Sequence, residues 1–279
     1  MSHYLVIPEI SVRNANAQPA WWIIGPPPVT AYMGFAHAFG RHLEARPDGV
    51  AIVHHDIQFL GEDINGSFRP AQFRAASFID KDDYSSKNPY VLSSQPTARC
   101  HLSVSLVLRF SEDLGIPENR FASFLRGRKL AGGDIVKYGS PELMARKWDP
   151  EEVVRFLQKN VRRSSWSLAD RSDLMVRAPE DRDPLDTLLR VTRRFRKPET
   201  GQAGPEAPDG TAWLMPTTVG YAEISERKNR RNVRGDLPHA YAEPLVGLVQ
   251  YQSLRTNGLH FWSLTFPMPG VYLASTLSH

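Results

Sequence analysis

The strongest constraint on the fold is an alternating apolar pattern over residues 100–110, Cys-His-Leu-Ser-Val-Ser-Leu-Val-Leu-Arg-Phe. Apolar side chains recur there at every second position, so they share one face of an extended chain: Leu102, Val104, Leu106 and Leu108. A helix would repeat its apolar positions every three or four residues instead. The pattern therefore predicts a β-strand with one buried face, and the chain must contain a sheet.

Helices and strands are mixed along the rest of the chain. Residues 4–12 predict a first strand, in which Pro8 favours an edge position or a bulge, and residues 13–28 predict a loop. A helix with apolar residues at helical spacing is predicted from Thr30 to Leu43. The other predicted strands are 50–60, 71–79, 128–138, 213–215, 219–224 and about 259–266, and the other predicted helices are 119–126, 150–162, 184–195 and about 238–251. The strand–helix–strand–strand opening is typical of a ferredoxin-like α+β fold.

Composition places the chain among cytoplasmic globular proteins. Its 279 residues are 41% hydrophobic, which is enough to form a core. No apolar run approaches the roughly 20 residues of a membrane span, and the first residues show no basic leader. The single cysteine, Cys100, cannot form an internal disulfide and fits a reducing compartment. We therefore expect a cytoplasmic protein that does not contact a membrane.

Positive charge is concentrated in the second half of the chain. Residues 1–118 contain 9 Lys and Arg against 12 Asp and Glu, a net charge of −3, whereas residues 119–279 contain 25 against 18, a net charge of +7. The basic residues form four clusters, at 126–129, 162–163, 193–197 and 227–234. Such clusters can be solvated helix faces, but four of them in one half of the chain favour a polyanion such as nucleic acid.

The sequence offers no convincing catalytic set. His37 and His42 are five residues apart, so they do not share a helix face as a metal-binding pair would, and the adjacent His54 and His55 point to opposite faces of a strand. Cys100 is expected to be a buried structural residue, and no phosphate-binding P-loop is present. We therefore predict a protein without enzymatic activity, metal or cofactor. The alternative is an endoribonuclease that uses a histidine as general acid or base. A double-stranded DNA reader would need a recognition helix, which none of the predicted helices provides.

Two further segments contain residues that could contact a nucleic acid. Gly132-Gly133 follows Arg126, Arg128 and Lys129, so a backbone could come close to a ligand there while cations meet phosphates; the alternative is an ordinary hairpin or bulge. Trp21-Trp22 could stack on bases, although core or partner-interface positions are the more common use of adjacent tryptophans. Residues 197–210, rich in proline and glycine, predict a mobile loop.

Several segments in order resemble the second Csy protein family of subtype I-F CRISPR systems. The segment Val12-Arg13-Asn14-Ala15-Asn16-Ala17 and the segment from Gly25 to Thr30-Ala-Tyr-Met-Gly-Phe-Ala-His37-Ala-Phe39 are similar to the family's N-terminal signature. Further matches are His101-Leu-Ser-Val-Ser-Leu-Val, Arg128-Lys-Leu-Ala-Gly-Gly133, Trp213-Leu-Met-Pro216, Val219-Gly-Tyr221, Asn232-Val-Arg234 and Pro238-His-Ala-Tyr-Ala-Glu243. The chain departs from the family at Gly25-Pro26-Pro27-Pro28, where Gly-Phe-Pro is usual, and after Gln250, where no resemblance is evident.

The resemblance implies a RAMP protein, which is an RRM-like ferredoxin core with an inserted thumb-like region. On this basis residues 1–110 are expected to begin the core, residues 111–210 to form the basic thumb-like insertion, and residues 211–279 to complete the core. The resemblance also implies a non-catalytic subunit of a type I-F Cascade (Csy) complex that acts in antiviral defence. Such a subunit binds the 5′ handle of the crRNA, pairs with the large subunit and abuts a backbone RAMP subunit. Target DNA near the PAM is a further candidate partner within the complex.

Twelve residues are candidates for contact with RNA. The first loop contributes Arg13, Asn14 and Asn16, the glycine pair Gly132 and Gly133 is flanked by Arg126, Arg128 and Lys129, and the third group is Arg230, Arg231 and Arg234. Asparagine side chains would read base edges, arginines would bind phosphates or stack, and glycines would admit the backbone. Thr30 is expected to cap the first helix and to point its N-terminus at a phosphate.

Overall fold

The structure is a computed structural model that describes residues 3–77, 93–112, 119–144, 149–176, 183–192, 213–229 and 237–276. The strands are β1 (His3–Asn16), β2 (Gly49–Phe59), β3 (Gly61–Ile64), β4 (Ser67–Pro70), β5 (Gln72–Ser77), β6 (Ser93–Phe110), β7 (Lys129–Leu130), β8 (Gly133–Lys137), β9 (Glu142–Met144), β10 (Trp166–Asp170), β11 (Leu214–Glu223), β12 (Ala242–Ser253), β13 (Phe261–Thr265) and β14 (Val271–Thr276). The helices are α1 (Val29–Leu43), α2 (Asn119–Leu125), α3 (Pro150–Asn160), α4 (Asp173–Val176), α5 (Pro184–Thr192) and α6 (Leu254–Asn257). The α+β class is confirmed. Within these ranges no helix has both the length and the apolar character that a membrane crossing requires.

The N-terminal half is an antiparallel sheet in the order β2-β6-β1-β8. The predicted strand at 100–110 is confirmed as the end of β6, where its four alternating apolar residues are buried. β6 lies between β1 and β2, with Leu106 opposite Ile7 on one side and Ile52 on the other. The register of β1 shifts between Ile7 and Ile10, so the bulge predicted at Pro8 is confirmed.

The C-terminal half closes a ring of six strands onto the remaining edge of β2. β13 pairs with β2 at Val50 and Ala51, and β10 pairs with the same edge at Val53 and His54. β10 continues through β12, β11 and β14 back to β13. β2 therefore belongs to both halves of the sheet, and this shared strand couples the first helix to the C-terminal strands.

Helix α1 packs on the sheet through the apolar stripe that the sequence predicts, since Tyr32, Met33 and Phe39 are all buried. The Phe39 ring stacks on Phe124 of α2 at a centroid distance of 4.7 Å, which fixes the two helices against each other. On the opposite face of the sheet, Val153 and Leu157 of α3 share a buried apolar cluster with Tyr4 and Val6 of β1 and Val107 of β6. Helix α3 begins as predicted at Asp149-Pro150, because the Asp149 carboxylate accepts a hydrogen bond of 2.8 Å from the Glu152 amide.

Three predicted elements are wrong. The helix near 238–251 is instead the strand β12, which pairs with β10 and β11 along its length. Its apolar run from Leu245 to Val249 fits a strand enclosed between two neighbours as well as it fits a buried helix. The loop at 13–28 begins later than predicted, because β1 continues to Asn16 beside Arg99. The residues at 128–138 form a two-stranded hairpin, β7 and β8, rather than one interrupted strand. The predicted loop at 197–210 lies outside the described residues.

Candidate nucleic-acid interface

The N-terminus of α1 has no side-chain cap. The N-cap residue is Pro28, and none of the described side chains accepts a capping hydrogen bond from the first turn. The prediction that Thr30 caps the helix is therefore wrong: Thr30 is the second helical residue and is only 8% exposed. The first turn also contains no acidic residue. The Ala31 amide donates to the Pro28 carbonyl at 3.0 Å, so the amides of Val29 and Thr30, with the positive end of the helix dipole, are the groups that an anion could bind.

The hairpin between β7 and β8 lies beside this helix end. Ala131 and Gly132 turn the chain with φ of 50° and 75°, the positive values that a two-residue hairpin of type I′ requires. A Cβ atom at Gly133 would lie 2.5 Å from the carbonyl oxygen of Arg13 and 2.6 Å from the amide nitrogen of Ala15. Position 133 therefore admits only glycine, because the hairpin packs directly on the backbone of β1.

A cavity of about 630 Å³ opens between the helix end, the hairpin and the C-terminal strands. It is lined by Asn16, Pro28, Thr30, Ala31, Ala131, Gly132, Tyr221 and Tyr272. A second cavity, of about 310 Å³, shares Ala31 and Ala131 with it and brings in Arg128 and Lys129. We call the two together the α1 groove. Five predicted contact residues thus line it: Asn16, Thr30, Arg128, Lys129 and Gly132.

Basic side chains surround the groove. The Arg128 guanidinium carbon lies 4.8 Å from the centre of the Phe124 ring, and the Lys129 ammonium lies 2.6 Å from an Asp134 carboxylate oxygen on an exposed surface. Arg99, which the sequence analysis did not select, donates to the Asn14 carbonyl at 3.2 Å and lies 3.8 Å from the Cβ position of Gly132. The groove is therefore a cationic site, with its arginines held by aromatic and backbone contacts.

The other predicted contact residues are more varied. The Asn16 side chain bonds the backbone of Gln18 through both its oxygen and its nitrogen, each at 3.1 Å, so its amide is already engaged in a local turn. Arg13, Asn14 and Arg126 are exposed but do not line the groove. Gly133 lies beneath the hairpin, as described above. Arg230, Arg231 and Arg234 lie outside the described residues.

Two tyrosines in the groove were not selected from the sequence. Tyr221 of β11 and Tyr272 of β14 lie directly opposite each other in the strand register. Burial and the neighbouring Tyr221 raise the pKa of Tyr272 above its usual value, so the Tyr272 ring stays neutral at physiological pH. Tyr221 belongs to a motif that carried the family resemblance. Tyr272 lies beyond Gln250, where no motif pointed to it, and only the ring closure brings it to this site.

The strand histidines have structural roles. Tyr32 and Tyr251 place their hydroxyls 2.7 Å and 2.9 Å from the two ring nitrogens of His54, and burial lowers the His54 pKa to about 3. His55 points the other way, as predicted, with its ring nitrogens 2.6 Å and 3.0 Å from serine hydroxyls, and burial lowers its pKa to about 4. Both imidazoles are neutral and fully hydrogen-bonded, so they hold strands and helices together rather than exchange protons with a substrate.

Cys100 and His37 lie in separate surroundings. Cys100 is buried as expected, and this burial raises its thiol pKa to about 12. His37 lines a separate cavity of about 430 Å³ beside Arg41 and Arg46, and burial together with these arginines lowers its pKa. In the part of the chain that the structure describes, no three residues among His, Cys, Asp and Glu are grouped so as to hold a metal ion.

Comparison with known proteins identifies the family. Residues 5–263 match the family described as CRISPR-associated protein (Cas_Csy2). A curated relative, the CRISPR-associated protein Csy2 of Pseudomonas aeruginosa strain UCBPP-PA14, is 27% identical over 320 aligned positions, which cover 98% of this chain and 94% of the relative. The family match runs from β1 into β13 and includes the groove residues up to Tyr221, and it ends before β14 and Tyr272. The chain belongs to the Csy2 family of CRISPR-associated proteins.

Proposed function

We propose that the chain is the type I-F Cascade subunit that binds the 5′ handle of the crRNA, and that the handle lies in the α1 groove. The observation that carries the proposal is the convergence of an uncapped helix N-terminus, a glycine turn and basic side chains on one open groove. Amides at a helix N-terminus bind phosphate oxygens, and a glycine turn admits a close backbone. The site thus suits an RNA backbone.

The groove can hold a single strand through two kinds of contact. Arg99, Arg128 and Lys129 supply positive charge for phosphates, while Tyr221 and Tyr272 offer ring surfaces to unstacked bases. Asn14 lies outside the groove lining but is exposed beside Arg99, so it is the better candidate for reading a base edge at the margin of the groove, whereas the Asn16 amide bonds Gln18. Phosphate contacts would set affinity and register, and the aromatic and amide contacts would select the handle.

The proposed fold for this role is an RRM-like RAMP core. The chain order β1-α1-β2-β6-α2-β8 is a β-α-β-β-α-β series with spatial strand order β8-β1-β6-β2, which fits a ferredoxin-like arrangement. The division of the chain at residues 110 and 210 remains a proposal, with the basic middle part as a thumb-like region, but in this arrangement α2 and β8 of that middle part belong to the core. The α1 groove then lies where the first helix, the hairpin at 129–137 and the C-terminal strands meet.

We further propose that the large Cascade subunit covers the loop before α1, and that a backbone RAMP subunit lies beside the same core. Trp21 is 82% exposed and Trp22 is 44% exposed, although their loop is well anchored: Gln18 donates to the Trp21 carbonyl at 2.8 Å, and Gly25 donates to Ala17 at 2.9 Å. Large aromatic side chains held on the surface by a rigid loop are typical of a protein interface. No membrane contact is proposed, and cytoplasmic location follows from the CRISPR role.

A direct test measures binding of the native handle by a double variant in the groove and by a single control variant outside it. Arg128→Ala with Lys129→Ala should weaken binding of the native handle by at least tenfold, because two cations leave the groove. Lys137→Ala removes an exposed cation from the far end of β8 and should leave affinity within about twofold. Equal losses in the two proteins would show that the groove is not the site.

The rival function is a RAMP-type endoribonuclease. It requires a histidine free to exchange a proton near RNA, and His37 is the half-buried candidate because His54 and His55 are fully engaged. Incubation of the purified protein with CRISPR repeat RNA, without added metal, separates the two functions. Site-specific cleavage that is lost in His37→Gln would establish the rival, and intact RNA supports a binding role.

A further inference from the structure

The turn between β13 and β14 forms an exposed aromatic extension of the α1 groove. We call residues 266–270 the hairpin tip. Phe266 is 69% exposed, and its ring packs edge-on against Tyr272 with a centroid distance of 5.8 Å and an interplanar angle of 71°. Tyr272 lines the groove and lies opposite Tyr221. Phe266 therefore extends the pair of groove tyrosines outward onto the protein surface.

Charged side chains of both signs lie at and after the end of β11, beside the same tip. The Cβ position of Gly270 lies 3.3 Å from the Glu223 side chain, and Arg227 forms an exposed ion pair with that carboxylate. Lys228 follows, with its backbone bonded in both directions to His239 at 3.0 Å and 2.9 Å. An exposed ring that is continuous with a groove holding basic side chains is the composition of a platform for single-stranded nucleic acid, in which bases stack and phosphates meet basic side chains.

We propose that an RNA strand leaving the α1 groove continues over the hairpin tip, with a base stacked on Phe266. This inference rests on the proposed function and extends it to nucleotides beyond those in the groove. The contact selects for an unpaired base and tolerates any of the four, because every base has a π-face. A duplex cannot present such a base, so the tip requires a single strand at this position.

The test uses the full-length chain and a series of single-stranded RNAs of increasing length, measured by fluorescence anisotropy. Phe266→Ala and Phe266→Leu should both weaken binding of the longer RNAs by about tenfold and leave the affinity for the shortest RNAs unchanged. Leucine keeps apolar surface but loses the ring, so an equal loss in the two variants identifies stacking. Met268→Ala is the matched control, since Met268 is 60% exposed on the same tip and has no ring; it should bind every length as the wild type does.

The outcomes separate this inference from the proposed function. Wild-type affinity in Phe266→Leu, or an equal loss in Met268→Ala, would overturn the stacking contact and identify the tip as an apolar protein-docking surface. Arg128→Ala with Lys129→Ala should weaken binding of every RNA, including the shortest. In one outcome, the double variant behaves as expected while the Phe266 variants bind every RNA length as the wild type does. That result would support RNA binding in the groove and reject only its extension over the hairpin tip. If the wild type binds no RNA, the proposed function itself fails.

Discussion

At the residue scale, the buried histidines make stability depend on pH. His54 and His55 have folded-state pKa values of about 3 and about 4, below the ordinary value of about 6.5 that applies to the unfolded chain. As pH falls below 6.5 the unfolded state binds protons that the folded state excludes, so stability present at neutral pH is lost. Each histidine should cost about 2 kcal/mol of unfolding free energy between pH 6.5 and pH 5.

Urea unfolding at pH 7 and pH 5 measures this effect. His55→Gln keeps hydrogen-bonding capacity without a titrating ring, so it should remove about half of the acid sensitivity that the two histidines cause. An acid sensitivity identical to that of the wild type would mean that His55 is protonated in the folded protein.

Two glycines test the geometry of the groove wall. A methyl group at Gly133 would collide with the backbone of β1, so Gly133→Ala should destabilise the protein by about 1–3 kcal/mol and weaken RNA binding. Gly34 lies in the exposed face of α1 with no atom within 4 Å of its Cβ position, so Gly34→Ala should stabilise the protein by up to about 1 kcal/mol. Thermal melting of the two variants measures these opposite effects. Melting temperatures that shift in the same direction in both variants would contradict the close packing of the hairpin on β1.

At the scale of elements, local patterns predicted some parts of the fold and long-range pairing decided the others. The alternation in β6, the stripe of α1 and the Asp149-Pro150 start of α3 are local signals, and each is confirmed. β12 was mistaken for a helix because a buried apolar run has no distinctive period. The sequence predicts some residues of the groove, because Gly132 and Arg128 lie in one distinctive segment. Tyr272 is not predictable in this way, since it reaches the site only because β13 and β14 return to β2.

The basic segment at 227–234 provides a test that separates charge from base reading. Replacing Arg230, Arg231 and Arg234 with alanine should weaken RNA binding and flatten its salt dependence, because fewer counterions are released. Asn14→Ala should keep the wild-type salt slope and reduce the preference for the native over a scrambled handle, because an amide adds no charge. Titrations at several salt concentrations give both quantities. An unchanged salt dependence of RNA binding in the arginine variant would show that this segment is a solvated surface that does not contact RNA.

At the scale of the whole molecule, the exposed loop before α1 predicts dependence on a partner. Trp21 and Trp22 should promote self-association of the isolated chain, because a large apolar surface is left in water. Size-exclusion chromatography should show aggregates for the chain alone and a defined complex with the large subunit. Trp21→Ser should reduce the aggregation and also weaken the complex, whereas a stable wild-type monomer would remove the basis for this interface.

The central claim, that the chain holds the 5′ handle of a guide RNA, is tested most directly by the RNA it binds in cells. The tagged chain is co-expressed with the neighbouring genes and a CRISPR array, and the small RNA that copurifies is sequenced. We predict guide RNAs that share one 5′ handle, with their recovery sharply reduced by Arg128→Ala with Lys129→Ala and unaffected by Lys137→Ala. Recovery of RNA without a common 5′ sequence, or equal recovery by both variants, would contradict the account.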